Sequence, residues 1–173
     1  MGLRNYLVEG VSATGKTSVC HELIRRGYVA FNGDQDLAYQ GDPTTGAPLS
    51  WAEVATDEDS FAWAHAHHIW DVGKVRRLTA DQSNAMTFFC GGSRNFAQFV
   101  DLFDAVFILD VDTSTLRRRL QDRPADEFGS RPNERELILR LHANREDLPS
   151  SGFVIDATAP IERVVDEILQ KCA

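Results

Sequence analysis

The sequence predicts a three-layer α/β domain in which a mostly parallel sheet lies between helices on both faces. Along its 173 residues, short apolar segments alternate with segments of helical periodicity, which is the pattern of strands joined by crossover helices. The segment Ala105–Leu109 is apolar at each position, as expected for a strand covered on both faces. The sequence contains no internal repeat and no interdomain linker, so we expect one domain over residues 1–173.

The first part of the chain contains two predicted strands and two predicted helical regions. The first strand is about Asn5–Val8, and its helix runs to Gly27, a residue type typical of a helix C-terminus. The second strand is Tyr28–Asn32, followed by an irregular stretch with Gly-x-Pro turn signals over residues 33–50. A helical region is predicted over about 51–78, because apolar residues and histidines recur there at helical spacing.

The second part of the chain continues the alternation of strands and helices. The third strand is Ala85–Cys90, and the continuously apolar segment described above is the fourth. The other predicted elements are helices at about 95–102, 113–122, 133–148 and 160–171, a polar loop at 123–132 and a fifth strand at 153–155. Ligands of such sheets bind at the carboxyl ends of the strands, so the residues that follow each strand are the functional candidates.

The segment after the first strand reads Gly-Val-Ser-Ala-Thr-Gly-Lys-Thr, a complete G-x-x-x-x-G-K-[ST] motif. Placed between a strand and a helix, its backbone N–H groups can surround a polyphosphate, and the helix N-terminus adds positive potential. Lys16 would reach the β- and γ-phosphates, and the Thr17 hydroxyl would hold Mg²⁺. We therefore predict that Mg²⁺ and ATP are bound by Gly10, Ser12, Ala13, Thr14, Gly15, Lys16, Thr17 and Ser18.

Two carboxylates, Asp34 and Asp36, follow the second strand. If the bound nucleotide donates a phosphoryl group, one aspartate could take a proton from a hydroxyl group of the molecule that receives it (the acceptor), or could hold Mg²⁺ through water. The other aspartate would bind hydroxyl groups of the acceptor. The alternative is that Asp34 merely caps the next segment. Beside the phosphate-binding loop, we expect Asp34 to be a catalytic residue and a metal ligand, and both aspartates to contact the acceptor.

The third strand is followed by Gly91, Gly92 and Arg94. The glycines would let a ligand approach the backbone closely, and the arginine would meet an anionic or polar group of the acceptor. The alternative is a helix N-terminal turn with a surface arginine. We expect the segment at about 37–80 to cover the acceptor, with Trp70 as a contact residue, although tryptophan is more often a core residue.

Two arginines four positions apart, Arg119 and Arg123, lie on one helical face that leads into the polar loop. A loop of this kind can close over ATP, exclude water and stabilise charge on the transferred phosphoryl group. The alternative is a solvated basic face. We expect a lid at about 123–133, with Arg123 as a catalytic residue beside Lys16 and both arginines in contact with the nucleotide.

Acidic residues also follow the fourth and fifth strands. Asp112 resembles a Walker B carboxylate, but we expect it to cap the helix that begins at Thr113. Asp156 and Ala157 would place their backbone near the adenine, and they could equally form the lead into the last helix.

Composition excludes several classes of function. A net charge of −8 argues against a general nucleic-acid binder, and no apolar run approaches the length of a membrane span. Three widely separated cysteines and the absence of a signal-peptide pattern favour a reducing, cytoplasmic location. The histidines of the helical region lack a nearby acid or cysteine to complete a metal site. We expect a monomer or homodimer.

Taken together, these motifs resemble the small P-loop kinases of the shikimate kinase, gluconate kinase and nucleoside monophosphate kinase group. The resemblance spans nearly the whole chain. It implies five parallel strands in the order 2-3-1-4-5, with an acceptor-binding segment and a lid inserted. It also implies Mg²⁺-ATP as phosphoryl donor, Arg119 near the adenine, and Arg123 on the transferring phosphate.

The sequence departs from each of these kinases near the acceptor. Ser93 stands where shikimate kinases carry a third glycine, and the Asp-Gly-x-x-Arg signature of nucleotide kinases is missing. We therefore predict transfer of the γ-phosphate to a small acceptor: a nucleoside, a nucleotide or a sugar-like molecule, antibiotics included. The alternative is a nucleotide-binding sensor without kinase activity, although a sensor needs no acceptor-activating acid. The guanine-binding Asn-Lys-x-Asp motif is absent, which disfavours a GTPase.

Overall fold

The computed structural model describes residues 3–50 and 60–172, and its elements alternate along the chain as the sequence predicts. In chain order they are β1 (Arg4–Glu9), α1 (Lys16–Arg25), β2 (Val29–Asn32), α2 (Gly33–Asp36), β3 (Ala38–Gln40), α3 (Ser60–Ala66), β4 (His68–Trp70), α4 (Val72–Thr79), β5 (Met86–Cys90), β6 (Ala105–Asp110), α5 (Thr113–Gln121), α6 (Pro132–Asn144), β7 (Phe153–Asp156) and α7 (Ile161–Lys171). No described helix has the length and apolar character that a membrane span requires.

Five parallel strands form the main sheet in the order β2-β5-β1-β6-β7. This is the predicted order 2-3-1-4-5, renumbered because β3 and β4 pair separately as a small antiparallel sheet. The predicted fold class and strand order are confirmed. Strand β1 therefore lies at the centre of the sheet, and its carboxyl end delivers the phosphate-binding loop between β5 and β6.

Alternating side chains of the central strands build a core on each face of the sheet. Tyr6 and Val8 point to one face, where they pack with residues of α1, α5 and α7. Leu7 points to the other face, where Phe89 and Trp70 join it. These side chains are 2% exposed or less, so both faces are covered, as the apolar strands predict.

The prediction of one helical region over about 51–78 is wrong in the middle of that range. Its first residues, 51–59, lie outside the described part of the chain, and the remainder divides into α3, β4 and α4. The three residues of β4 pair with β3, with Tyr39 opposite Ile69. Asp71 then caps α4 by accepting a hydrogen bond from the Lys74 N–H at 2.9 Å. Helical spacing of apolar residues did not reveal this short strand, because three residues are too few to establish a period of two.

Two smaller predictions also need correction. The region predicted as a helix over 95–102 consists of two 3₁₀ turns, Phe96–Gln98 and Val100–Leu102. The stretch predicted as irregular contains α2 and β3. The expected cap is confirmed: Asp112 accepts hydrogen bonds from the N–H and the hydroxyl of Thr115, at 2.8 and 2.6 Å. The hydrogen bond from the Ser114 hydroxyl, together with these two, holds the pKa of Asp112 below its ordinary value.

Candidate active site

The loop between β1 and α1 has the backbone of a phosphate cradle. Ala13 and Gly15 have left-handed φ angles of 71° and 109°, which turn the chain back on itself. A Cβ at Gly10 would meet the Thr14 hydroxyl at 2.5 Å, so only glycine fits there. No side chain caps the N-terminus of α1. Its first N–H groups therefore lack intrahelical partners and are available to an anion.

Lys16 lies across the mouth of this loop. Its ammonium group donates to the carbonyl oxygens of Gly10 and Val11, at 2.6 and 3.0 Å. Burial lowers the pKa of Lys16, while the negative charges of Glu9 and Asp34 oppose that change. A phosphate group in the loop would offer Lys16 the full countercharge that these two carbonyl groups do not supply.

A cleft of about 650 Å³ borders the loop on the side of α7. Arg119 joins its two sides: the guanidinium group donates to the carbonyl oxygen of Thr14 at 3.2 Å and to that of Ala157 at 2.8 Å. Among the predicted nucleotide-binding residues, those that line this cleft are Ser12, Ala13, Thr14, Gly15, Lys16, Thr17, Ser18, Arg119, Arg123 and Ala157. Asp156 does not line it; its carboxylate accepts hydrogen bonds from the N–H and hydroxyl of Thr158, at 2.9 and 2.5 Å.

A second cleft, of about 460 Å³, opens on the opposite side of the loop. It lies between the ends of β1, β2 and β5, helices α3 and α6, and the loop that precedes α6. The two clefts share six lining residues, which are Ser12, Lys16, Thr17, Asp34, Arg123 and Glu127. The predicted catalytic residues Lys16, Asp34 and Arg123 therefore lie together where the clefts meet, with the proposed metal ligand Thr17.

Asp34 lies at the entrance to both clefts, with its side chain about half exposed. His68 Nε2 is 3.0 Å from Asp34 Oδ1. Burial raises the pKa of Asp34, but the hydrogen bond from His68 and the charge of Lys16 bring the net result below the ordinary value. The cap of α2 is Asn32, whose side chain accepts from the Asp34 N–H at 3.2 Å. The Asp34 carboxylate is thus ionised and free of the capping role that the alternative assigned to it.

Three of the predicted acceptor contacts do not line either cleft. Asp36 turns its carboxylate to the N–H of Asn32, at 2.8 Å. Trp70 is fully buried and stacks on Phe99 at a ring distance of 5.5 Å, which corrects its assignment as an acceptor contact. Gly91 leaves room for the Trp70 ring, since a Cβ there would lie 2.8 Å from it.

Gly92 and Arg94 do line the second cleft. Arg94 forms an ion pair with Asp147, whose Oδ2 atom also lies 2.6 Å from His65 Nε2. Burial raises the pKa of Asp147, but its contacts with His65 and Arg94 leave that pKa below the ordinary value. Sequence reasoning missed Asp147 and His65 as site residues, because Asp147 reaches the cleft only through the tertiary packing of the segment after α6.

Glu9 is a further residue that the sequence-based predictions overlooked. It ends β1, is 1% exposed, and accepts a hydrogen bond from the Gly10 N–H at 3.0 Å. Burial raises its pKa from 4.5 to about 7, against the charges of Lys16 and Arg94. The sequence does contain a signal for Glu9, since it is a charged residue at the end of an otherwise apolar strand, directly before the phosphate-binding motif.

The buried Glu9 carboxyl predicts a pH dependence of stability. Its pKa is higher in the folded chain, so its stabilising contribution is complete below pH 4.5 and is lost as pH rises through about 7. The shift corresponds to a loss on the order of 3 kcal/mol. We expect Glu9→Gln to remove this slope in denaturant unfolding measured from pH 5 to 8. Parallel pH profiles for the variant and the natural protein would contradict the assignment.

The loop before α6 is held against the phosphate-binding loop by Arg123. Its Nη1 atom donates to the Ser12 hydroxyl at 3.1 Å and to the carbonyl oxygen of Phe128. Glu127 lies 3.8 Å from the Arg123 Nε atom. Glu134 supports the same loop by accepting from the Gly129 N–H at 2.9 Å. The guanidinium group therefore lies at the junction of the clefts without a short, direct ion pair.

This position predicts the effect of removing Arg123. For the phosphoryl transfer that the sequence predicts, we expect Arg123→Ala to lower kcat by about 10²-fold, because a preorganised cation would no longer face the transferring phosphoryl group. The KM of the acceptor should change by less. Arg117→Ala removes an exposed arginine of the same helix and should leave steady-state kinetics unaltered. Equal kcat values for the two variants would leave Arg123 only the structural role of holding the loop before α6 against Ser12.

Comparison with known proteins identifies the fold. The sequence matches no protein-family model and no curated protein. Among solved structures, a sugar kinase from a Janibacter species is 21% identical, covers 98% of this chain and 94% of its own, and has a TM-score of 0.58. A shikimate kinase from Bacteroides thetaiotaomicron is 13% identical, covers 99% of both chains, and has a TM-score of 0.59.

A third similar structure is a deoxyadenosine kinase from M. mycoides with bound dATP. It is 14% identical, covers 96% of this chain and 98% of its own, and has a TM-score of 0.53. At these identities the likeness concerns the fold. The chain has the fold of the small P-loop kinases, which confirms at the level of the fold the resemblance drawn from the motifs.

Proposed function

We propose that this protein is a phosphotransferase that moves the γ-phosphate of Mg²⁺-ATP to a hydroxyl group of a small molecule. One observation carries the proposal: two clefts meet at a single point, and that point holds Lys16, Thr17, Asp34 and Arg123. A protein that only binds a nucleotide needs no more than the first cleft. A second cleft that opens onto the same charged junction is what a second reactant requires.

The residues at the junction can divide the chemistry among them. The N–H groups of the loop and the N-terminus of α1 would hold the phosphates of ATP, with Arg119 beside them. The Thr17 hydroxyl and the Asp34 carboxylate are oxygen ligands suited to Mg²⁺, which would neutralise phosphate charge when bound. Lys16 and Arg123 would stabilise negative charge on the phosphoryl group as it moves.

Asp34 is also placed to orient the acceptor. Its carboxylate is ionised and faces the second cleft, where it would accept a hydrogen bond from the attacking hydroxyl group. Transfer forms a bond from that oxygen to the γ-phosphorus and breaks the bond to the β-phosphate oxygen, which releases ADP. The hydroxyl proton leaves through Asp34 or solvent as the new ester forms.

The proposal is tested by measuring ADP release from Mg²⁺-ATP across nucleosides, nucleotides, sugars, sugar acids and aminoglycosides. Each acceptor that stimulates release is examined by mass spectrometry for an added phosphate group. A phosphorylated product that disappears with Asp34→Asn supports the kinase. Tight ATP binding without phosphorylation of any acceptor would favour the alternative, a nucleotide-binding sensor.

A further inference from the structure

The lining of the second cleft includes an apolar wall. Its partly buried members are Phe61 and Ala64 of α3, Phe128 and Leu148, and behind them lie the buried side chains of Ile138 and Leu141. The Phe128 ring stacks against His65 at a ring distance of 6.0 Å and an interplanar angle of 15°. A polyol would cover little of this apolar surface without also burying its hydroxyl groups, whereas a flat apolar group would cover it favourably.

The charged groups of this cleft are already balanced. Lys16 and Arg123 face the junction, where the γ-phosphate would be held. Arg94 is the remaining lysine or arginine among the described lining residues, and Asp147 is its ion-pair partner. Glu9 also lies near Arg94, since a Cβ at Gly92 would lie 2.9 Å from the Glu9 carboxylate and 3.4 Å from the guanidinium group.

This balance disfavours an anionic acceptor. A carboxylate or phosphate bound near Arg94 would have to displace Asp147 or lie beside it as a second negative charge. Asp34 adds a further negative charge at the entrance. Like charges brought together in a partly desolvated cleft oppose binding, and such repulsion is a common source of specificity.

Three buried polar atoms lack a hydrogen-bond partner among the described residues: one is the indole N–H of Trp70, and the other two belong to residues of the second cleft. These two are the Oε1 atom of Gln40 and the Nε atom of Arg94. Both atoms are buried as the side chains lie here, so a ligand would reach them only if the side chains turned. Pairing would then recover about 1–3 kcal/mol for each atom. The Gln40 amide carries a donor and an acceptor but no charge, which matches a neutral polar edge. The Arg94 N–H would take an uncharged acceptor such as a carbonyl oxygen or ring nitrogen.

We infer that the acceptor is an uncharged or cationic molecule that joins a hydroxyl-bearing part to a flat, mostly apolar ring with a hydrogen-bonding edge, as a nucleoside does. The hydroxyl would lie at Asp34, and the ring would lie between Phe61 and Phe128 with its edge towards Gln40. Sugar acids, shikimate-like acids and nucleoside monophosphates are excluded by the charge of the cleft. This inference rests on the proposed function and narrows it.

The test compares matched acceptors that differ in charge or in the ring. Purine and pyrimidine nucleosides are measured against their own monophosphates, against free ribose, and against glucose, gluconate and shikimate. We expect kcat/KM for the preferred nucleoside to exceed that of its monophosphate and of ribose by at least about tenfold, a difference of about 1.4 kcal/mol. Preference for gluconate, shikimate or a nucleoside monophosphate would overturn the inference while leaving the kinase intact.

Two variants test the charge argument and the hydrogen-bonding edge separately. Asp147→Asn removes the negative charge that pairs with Arg94 and hardly changes the side-chain volume. We therefore expect the ratio of kcat/KM for the nucleoside to kcat/KM for its monophosphate to fall at least about tenfold. Gln40→Ala should raise the KM of the nucleoside with little change in the KM of ATP. Unchanged discrimination in Asp147→Asn would contradict the role given to the Arg94–Asp147 pair.

A binding measurement keeps the inference testable if no acceptor is phosphorylated. Calorimetry with the Mg²⁺-ADP complex of the protein measures the binding affinities of nucleosides, nucleoside monophosphates and ribose directly. Nucleoside binding without phosphorylation would uphold the inferred ligand and refute the proposed function. Stronger binding of a monophosphate or ribose than of any nucleoside, or no binding of any of them, would refute the inferred ligand.

Discussion

Replacing Lys16 by alanine should lower phosphoryl transfer by about 10³-fold while the fold stays intact, since removal of one charge-stabilising donor has effects of this size. The ammonium group makes its two hydrogen bonds to carbonyl oxygens of its own loop, so no distant element depends on it. It is also the lysine at the junction of the two clefts. Single-turnover rates and thermal unfolding of the variant measure the two parts of this prediction.

Lys171→Ala is the matched control for this variant. Lys171 lies on α7 and has a surface ion pair with Glu167 at 3.7 Å, remote from both clefts. Its removal should leave turnover unaltered and change stability by less than about 1 kcal/mol. Near-normal turnover in Lys16→Ala, with the control unchanged, would contradict the assignment of this loop as the site that binds the phosphates of ATP.

Asp34→Asn should lower turnover by about 10³-fold, within the range of general-base and metal-orienting groups, and change ATP affinity only a few-fold. The amide keeps the shape of the side chain and can still accept a hydrogen bond from His68. It loses the negative charge that would face Mg²⁺ and the acceptor hydroxyl. Because the pKa of Asp34 lies below its ordinary value, the natural protein should keep this group ionised into mildly acidic solution.

Asp36→Asn is the control for Asp34→Asn, with the same chemical change two residues away. Asp36 accepts a hydrogen bond from the Asn32 N–H and lines neither cleft. Because surface substitutions have small effects, its replacement should reduce stability slightly and leave kcat within about threefold of the natural value. Equal losses of turnover in both variants would mean that the α2 segment, rather than the Asp34 carboxylate, is what matters.

The sequence predicts the fold and part of the site because local signals determine them. The phosphate-binding motif needs only its own residues and flanking elements, and Asp34 follows directly from the end of a strand. Parallel strands then gather their carboxyl ends at one edge of the sheet, which brings Asp34 beside the phosphate-binding loop. Arg123 reaches the same place from the loop that follows α5, where it donates to the Ser12 hydroxyl.

Other features depend on contacts that no local pattern reveals. Trp70 belongs to β4, a strand of three residues whose pairing with β3 overrides the helical spacing around it. Asp147 and Gln40 come to the second cleft from separate segments, and neither has a sequence signature. Glu9 is an ordinary carboxylate in the sequence, and its unusual pKa arises from the burial that the central position of β1 imposes.

The most direct test of the central claim follows the γ-phosphate itself. The protein is mixed with γ-labelled ATP, Mg²⁺ and a nucleoside in single-turnover conditions, and label is counted in the nucleoside and in inorganic phosphate. We predict that most of the label appears in the nucleoside, and that Lys16→Ala and Asp34→Asn abolish this transfer. Label that stays in ATP, or passes only to water with every acceptor tested, would contradict the account.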